Sequence, residues 1–151
     1  MKQTLSLIFL VICFNAYSQD PDPVKKFRDV SPFGYSEYVE IDLGNAKMLL
    51  ISGQVSTDKD GNTVGEGDFA KQAELVFTKI KSIVERSGGK MKDVVRLNYY
   101  MADMTDLAKL REIRARFINL ANPPVSSAIE VKRLFKEDIL IEVDATAVIP
   151  K

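Results

Sequence analysis

"GDFAKQAELVFTKIKSIVERSGGKMKDVVRLNYYMAD", residues 67–103, changes its hydrophobic period part-way along, and that change decides the fold. Up to Arg86 the apolar residues Phe69, Ala73, Val76, Phe77, Ile80, Ile83 and Val84 recur at helical spacing and make one stripe. Lys71, Glu74, Lys79, Lys81 and Glu85 fall on the wet faces. Asp68 stands before the first apolar residue as a capping side chain, and Gly88 and Gly89 supply the stop. From Asp93 the pattern alternates. Val95, Leu97, Tyr99 and Met101 are expected on one face, with Val94, Arg96, Asn98 and Tyr100 on the other. An amphipathic helix running straight into a half-buried strand predicts helices packed on a sheet.

The flanking segments extend that pattern. "YVEIDLG" (38–44) alternates, "KMLLISGQV" (47–55) is a more continuous apolar run, and the turn between them makes a hairpin. "TDLAKLREIRARFINLAN" (105–122) predicts a second helix, capped by Thr105, with Leu107, Leu110, Ile113, Phe117 and Leu120 inward. Pro123 and Pro124 end it. "SSAIEVKRL" (126–134) and "ILIEVDATAVI" (139–149) are the last strands, joined by the charged turn "FKED". The expected order is β-β-α-β-α-β-β, a two-layer α+β domain with a mixed sheet on two helices. Apolar residues occur on both faces of several strands, so the uncovered face is expected to pack against another subunit.

Composition narrows the chemistry. The chain has no histidine, and its single cysteine is Cys13, inside the apolar block "LSLIFLVICF" (5–14). Zinc sites of the usual composition and Ser–His–Asp or Cys–His catalysis therefore lack their residues. Residues 1–18 read as a secretory signal. Lys2 precedes the apolar block, and Ala16 and Ser18 offer small residues at a cleavage site. The block is shorter than the roughly 20 apolar residues a membrane span needs. A lipoprotein anchor at Cys13 is the rival, disfavoured by Ile12 and Phe14 beside it. A periplasmic or secreted protein is expected, with no membrane attachment once the signal is gone. Residues 19–32 read as a polar leader arm, and residues 33–151 as the domain. The 21 basic and 21 acidic residues leave no basic excess, which argues against nucleic acid as a partner. In "TDKDGNT" (57–63), Asp58, Asp60 and Asn62 suggest a calcium loop. An EF-hand needs its glycine after the third ligand, and Gly61 comes before Asn62, so the reading is a plain Asp-Gly turn.

"FGYSEYVEIDLGN", "ISGQV", "GDFAKQAELVFTKIKSIVERSGG", "DVVRLNYYMADMTDL", "PPVSSAIEVKRL" and "IEVDATAV", in that order, resemble the RidA/YjgF family of reactive-intermediate deaminases. The resemblance spans nearly all of residues 33–150. It implies a chorismate-mutase-like fold, a homotrimer with clefts between subunits, and hydrolysis of small imines or enamines to ammonia and a keto acid without a cofactor. It also implies site residues. Glu142 aligns with a carboxylate that orients water or shuttles a proton, Tyr35 with a substrate-positioning tyrosine, and Gly53 with a backbone contact in the cleft. Tyr38 is a rival for the tyrosine's place. Counting back from "EVKRL", the family's carboxylate-gripping arginine falls on Ser126, and a frequent cysteine on Ala128. A hydroxyl does not replace a bidentate cation. The chain thus keeps the scaffold and lacks the anchor, which leaves two functions open: an imine deaminase, or a trimer that binds a small molecule without turning it over. Two further alternatives stay open. Ser126 and Ser127 are a nucleophilic pair or merely line a strand edge, and Glu142 and Asp144 are cleft residues or solvent-facing charges.

Overall fold

The computed structural model describes residues 24–151, so the signal reading of residues 1–18 lies outside the described residues. The elements are β1 (Lys25–Val30), β2 (Ser36–Asp42), β3 (Ala46–Val55), α1 (Phe69–Arg86), β4 (Val94–Met101), α2 (Leu107–Ala115), β5 (Val125–Glu130) and β6 (Ile141–Pro150). The strands form one six-stranded sheet in the order β1-β2-β3-β6-β4-β5. All neighbours are antiparallel except β4 and β5, which run parallel. This is the two-layer α+β domain with a mixed sheet and two helices that the alternation of periods predicts.

The helix layer rests on one sheet face. Every member of the predicted α1 stripe is buried, from Phe69 to Val84. Asp68 caps the helix by accepting from the Lys71 amide at 3.1 Å. Against the stripe lie Leu49 and Ile51 of β3, Leu97, Tyr99 and Met101 of β4, and Ile141, Val143, Ala145, Ala147 and Ile149 of β6. Each large side chain buried there contributes roughly 1.5–3 kcal/mol. Gln72 is fully buried inside this layer. Its amide donates to the carbonyls of Gly65 (3.1 Å) and Asp138 (2.7 Å) and accepts from the Leu140 amide (2.8 Å). One side chain thus fastens α1 to the loop before it and to the turn before β6.

Three differences from the sequence expectation have physical causes. Residues 25–30, inside the presumed leader arm, are a strand, and the order is β-β-β-α-β-α-β-β. "KKFRDV" shows no inward-facing period because all six residues are exposed; backbone pairing from Lys25↔Ile41 to Val30↔Ser36 holds it. In β4, Val94 is buried and Val95 exposed, because a register shift between Val94 and Arg96 flips the start of the strand. The second helix is shorter than residues 105–122. Thr105 lies in a 3-10 turn (Met104–Asp106) whose cap is Asp103, accepting from the Thr105 amide at 2.7 Å, and Leu120 is exposed.

Candidate active site

β6 is central in the sheet and alternates strictly: Ile141, Val143, Ala145, Ala147 and Ile149 are buried under the helices, while Glu142, Asp144, Thr146 and Val148 face the other way. Glu142 therefore reaches the helix-free face by parity alone. Opposite it, β3 carries a bulge, with the register shifting between Ile51 and Gln54. Gly53 sits in that bulge. A Cβ there would lie 1.8 Å from Glu142 Oε1, so the carboxylate occupies the space a side chain would take. The absence of a side chain at position 53 is what lets Glu142 lie across the strand.

Gly53 and Glu142 line one cleft of about 730 Å³, together with Phe33, Tyr35, Ser52, Val55, Thr57, Asp60, Gly61, Phe135 and Lys136. Tyr35 comes from the β1–β2 connection, whose turn is closed by the Ser31 amide donating to the Tyr35 carbonyl at 2.7 Å. Tyr38, the other candidate for the tyrosine's place, is buried in the core. Ser52 ties the bulge to β2 by donating to the Ser36 carbonyl at 2.6 Å.

The electrostatics raise the proton affinity of Glu142. Burial of its carboxyl pushes its affinity for a proton above the ordinary glutamate range, and the charge of Asp144 two residues along adds to the effect. Asp144 is itself held: Asn98 Nδ2 donates to one oxygen and the Tyr100 hydroxyl to the other, each at 3.0 Å. Asn98 and Tyr100 are thus structural partners across the sheet, as the shared strand face suggests. The bond to Asp144 raises the Tyr100 phenol in turn.

Ser126 and Ala128 stand elsewhere. Both are exposed on β5, the sheet edge, opposite Leu97 and Tyr99 of β4. Neither lines the cleft of its own chain. The loop 57–63 is the turn expected of it: the Asp58 carboxylate accepts from the amides of Asp60 and Asn62 and from Asn62 Nδ2 at 2.9–3.1 Å. Phe33, Thr57, Phe135 and Lys136 are among the cleft's lining residues that the sequence reading does not place in a site. The last two belong to the charged turn "FKED", whose place before the Glu142 strand was the available signal. Lys79 falls on a wet face by helical spacing. It is half-buried instead, donates to the Val55 carbonyl (2.9 Å) and Thr57 Oγ1 (3.3 Å), and holds its proton less tightly because of that burial.

The family model described as Endoribonuclease L-PSP matches residues 29–149. The chain belongs to this family, the RidA/YjgF proteins. A RutC family protein of Pyrococcus horikoshii is 37% identical over 117 residues, covering 77% of this chain and 88% of the relative. The 2-iminobutanoate/2-iminopropanoate deaminase of Escherichia coli K12 is 35% identical over 121 residues, covering 78% and 91%. Among solved structures, RidA from an Antarctic Psychrobacter superposes with a TM-score of 0.67 at 30% identity, covering 81% of this chain and 94% of that one. A YjgF-family protein of Neisseria meningitidis shares the fold, with a TM-score of 0.71 at 22% identity over 85% and 97% of the two chains. The RidA/YjgF fold expected from the motifs is thus the fold observed.

Proposed function

We propose that this chain is a cofactor-independent hydrolase of small imines or enamines, releasing ammonia at a cleft between subunits of a homotrimer. The observation that carries the reading is the Glu142 carboxyl, lodged across Gly53 in a cleft that also holds Tyr35. The relatives named as 2-iminobutanoate/2-iminopropanoate deaminases support it at the level of the family. A carboxyl whose proton affinity is raised by burial donates its proton to the imine nitrogen and makes the imine carbon electrophilic. The resulting carboxylate takes a proton from water as the water oxygen bonds to that carbon. The carboxyl then passes that proton to the amino nitrogen and takes up the hydroxyl proton as the C–N bond breaks, so nitrogen leaves as ammonia, a carbonyl remains and the carboxyl is restored. Tyr35 positions the substrate.

The inter-subunit part rests on the helix-free face. Phe27 and Leu50 are exposed there, and Val39, Ile41, Met48 and Val148 share the face by register. Such a face suits a second copy, and a second copy is also what would bring the β5 edge, with Ser126 and Ala128, to a cleft. Measuring ammonia release from imines generated in situ, for wild type and Glu142→Gln, tests the reading; equal rates remove Glu142 from the chemistry. Sedimentation tests the trimer.

The second reading is a trimer that binds a small molecule without turnover, favoured by serine at position 126 in place of a cation. Thermal stabilisation by a metabolite with no product formed would select it. Ribonuclease activity finds no support in a formal net charge of zero, and RNA left intact by metal-free protein would exclude it. Export to the periplasm or medium remains part of the proposal. Among the described residues no helix is long and apolar enough to cross a membrane.

A further inference from the structure

The turn that carries Phe135 and Lys136 brings a cation into the Glu142 cleft. Lys136 Nζ donates to the Gly61 carbonyl at 2.5 Å and lies 5.9 Å from the centroid of the Phe135 ring. An ammonium has three protons to donate, so that bond leaves two for a ligand. Two of the carboxylates near it are engaged by other cations, Asp60 of the cleft by Lys59 at 2.9 Å and Glu137, next in sequence, by Arg133 at 4.0 Å. Among the described residues no carboxylate lies within ion-pair distance of Lys136, Glu142 included. The cleft therefore offers, beside Glu142, a cation with no ion-pair partner among the described residues. It also presents two large apolar side chains to solvent, Phe33 at 87% exposure and Phe135 at 63%. Both line the same cavity. Aromatic rings exposed beside a binding cavity are suited to receive a flat apolar group.

We propose that Lys136 is the anion-binding group of this cleft and that Phe33 and Phe135 receive a bulky apolar side chain, so that the ligand is a 2-oxo or 2-imino acid carrying such a group. This rests on the reading of the Glu142 cleft as the ligand site. It supplies from within the chain, by a different residue, the charge that Ser126 does not.

Calorimetry on the full chain with phenylpyruvate, pyruvate and methyl phenylpyruvate tests it. The wild type is expected to bind phenylpyruvate at least tenfold more tightly than either pyruvate or the ester. Lys136→Met, which keeps the aliphatic stem, should weaken phenylpyruvate about tenfold or more and leave the ester unchanged, as loss of a charge-assisted hydrogen bond implies. Lys136→Arg should retain the affinity. Phe135→Ala should weaken phenylpyruvate and not pyruvate. An ester that binds as tightly as the acid overturns the proposal, as does a Lys136→Met variant with wild-type affinity. The comparison of acid with ester needs no mutant, so it decides even if Lys136→Met does not fold. Ammonia release separates this from the deaminase reading. Glu142-dependent turnover with no effect of Lys136 leaves the enzyme and removes the anchor. A Lys136-dependent affinity without turnover keeps the anchor and removes the enzyme.

Discussion

β6 and β5 both carry candidate site residues, and their circumstances are opposite. β6 lies between β3 and β4, with every second side chain sealed under the helices. β5 is an edge strand, paired on one side only, and all six of its residues are exposed. Glu142 on β6 is therefore placed by its own chain: register fixes its face, Gly53 clears its path, and Asp144 sets its charge environment. Ser126 and Ala128 on β5 are placed with respect to β4 and to nothing else in the described chain. A central strand can complete half of a site alone. An edge strand can only offer its residues to a second molecule.

The largest expected effect breaks the comparison at its stable end. Ile141→Ala removes a fully buried side chain beside Glu142 and should cost about 2–5 kcal/mol in a urea or guanidinium unfolding curve. Ile129→Ala on β5 removes a half-exposed one and should stay within about 0.5 kcal/mol in the isolated chain. Any larger effect of Ile129→Ala must then appear as a dependence of stability on protein concentration. Equal costs at the two positions would show that β5 is buried within the single chain after all.

Next comes Gly53→Ala. Its backbone is not in the left-handed region, so the cost is not one of conformation but of the 1.8 Å clash with Glu142 Oε1. The carboxylate must swing away. If it is the acid and base, ammonia release should fall on the order of a hundredfold, the penalty for displacing a reacting group by about an ångström. Unfolding measurements should show a much smaller change.

Much of the central half was legible in the sequence because period and parity carry it. The α1 stripe, the alternation of β6 and the outward face of Glu142 follow from spacing alone. The legible part ended where no period exists. "KKFRDV" became β1 through backbone pairing with no buried side chain to announce it. The bulge that turned Val95 outward and the one that seats Gly53 are single-residue slips in register. Lys136 reaches the cleft only because the "FKED" turn folds back toward Gly61. The resemblance sets Ser126 against an arginine as an expectation, but it does not say that β5 stands outside its own chain's cleft, since a strand's position at the sheet edge depends on the order of all six strands.

Ser126→Arg sharpens the comparison from the edge side. A guanidinium on β5 should raise the affinity for 2-ketobutyrate tenfold to a hundredfold, the roughly 1.5–3 kcal/mol of a charge-assisted bond. Calorimetry should show that gain only under conditions where the chain is assembled, because the cleft of the same chain is not in contact with β5. A gain in monomer, or none in a folded trimer, would break the assignment of Ser126 to the arginine's place.

The smallest effect is the most pointed, because it asks what Glu142 costs the strand that holds it. Its proton affinity in the folded chain is raised above the ordinary value, 4.5, first by burial and then by Asp144. A carboxyl that binds its proton more tightly folded than unfolded makes folding less favourable as pH rises, because the unfolded chain gives that proton up first. Below the ordinary value the group is neutral in both states and the penalty vanishes; above the raised value it is fully present. Glu142→Gln keeps the shape and removes the charge. It should therefore be more stable than wild type near neutral pH, and the gap should close as the pH falls below about 4.5. The midpoint of urea unfolding, read at several pH values for both chains, checks this. Asp144→Asn should narrow the same gap by removing the second cause. A Glu142→Gln variant less stable than wild type at neutral pH would mean the carboxylate is a structural partner in β6. The division between the strand's buried side, which stabilises, and its open side, which is held for chemistry, would then fail at the residue on which it depends most.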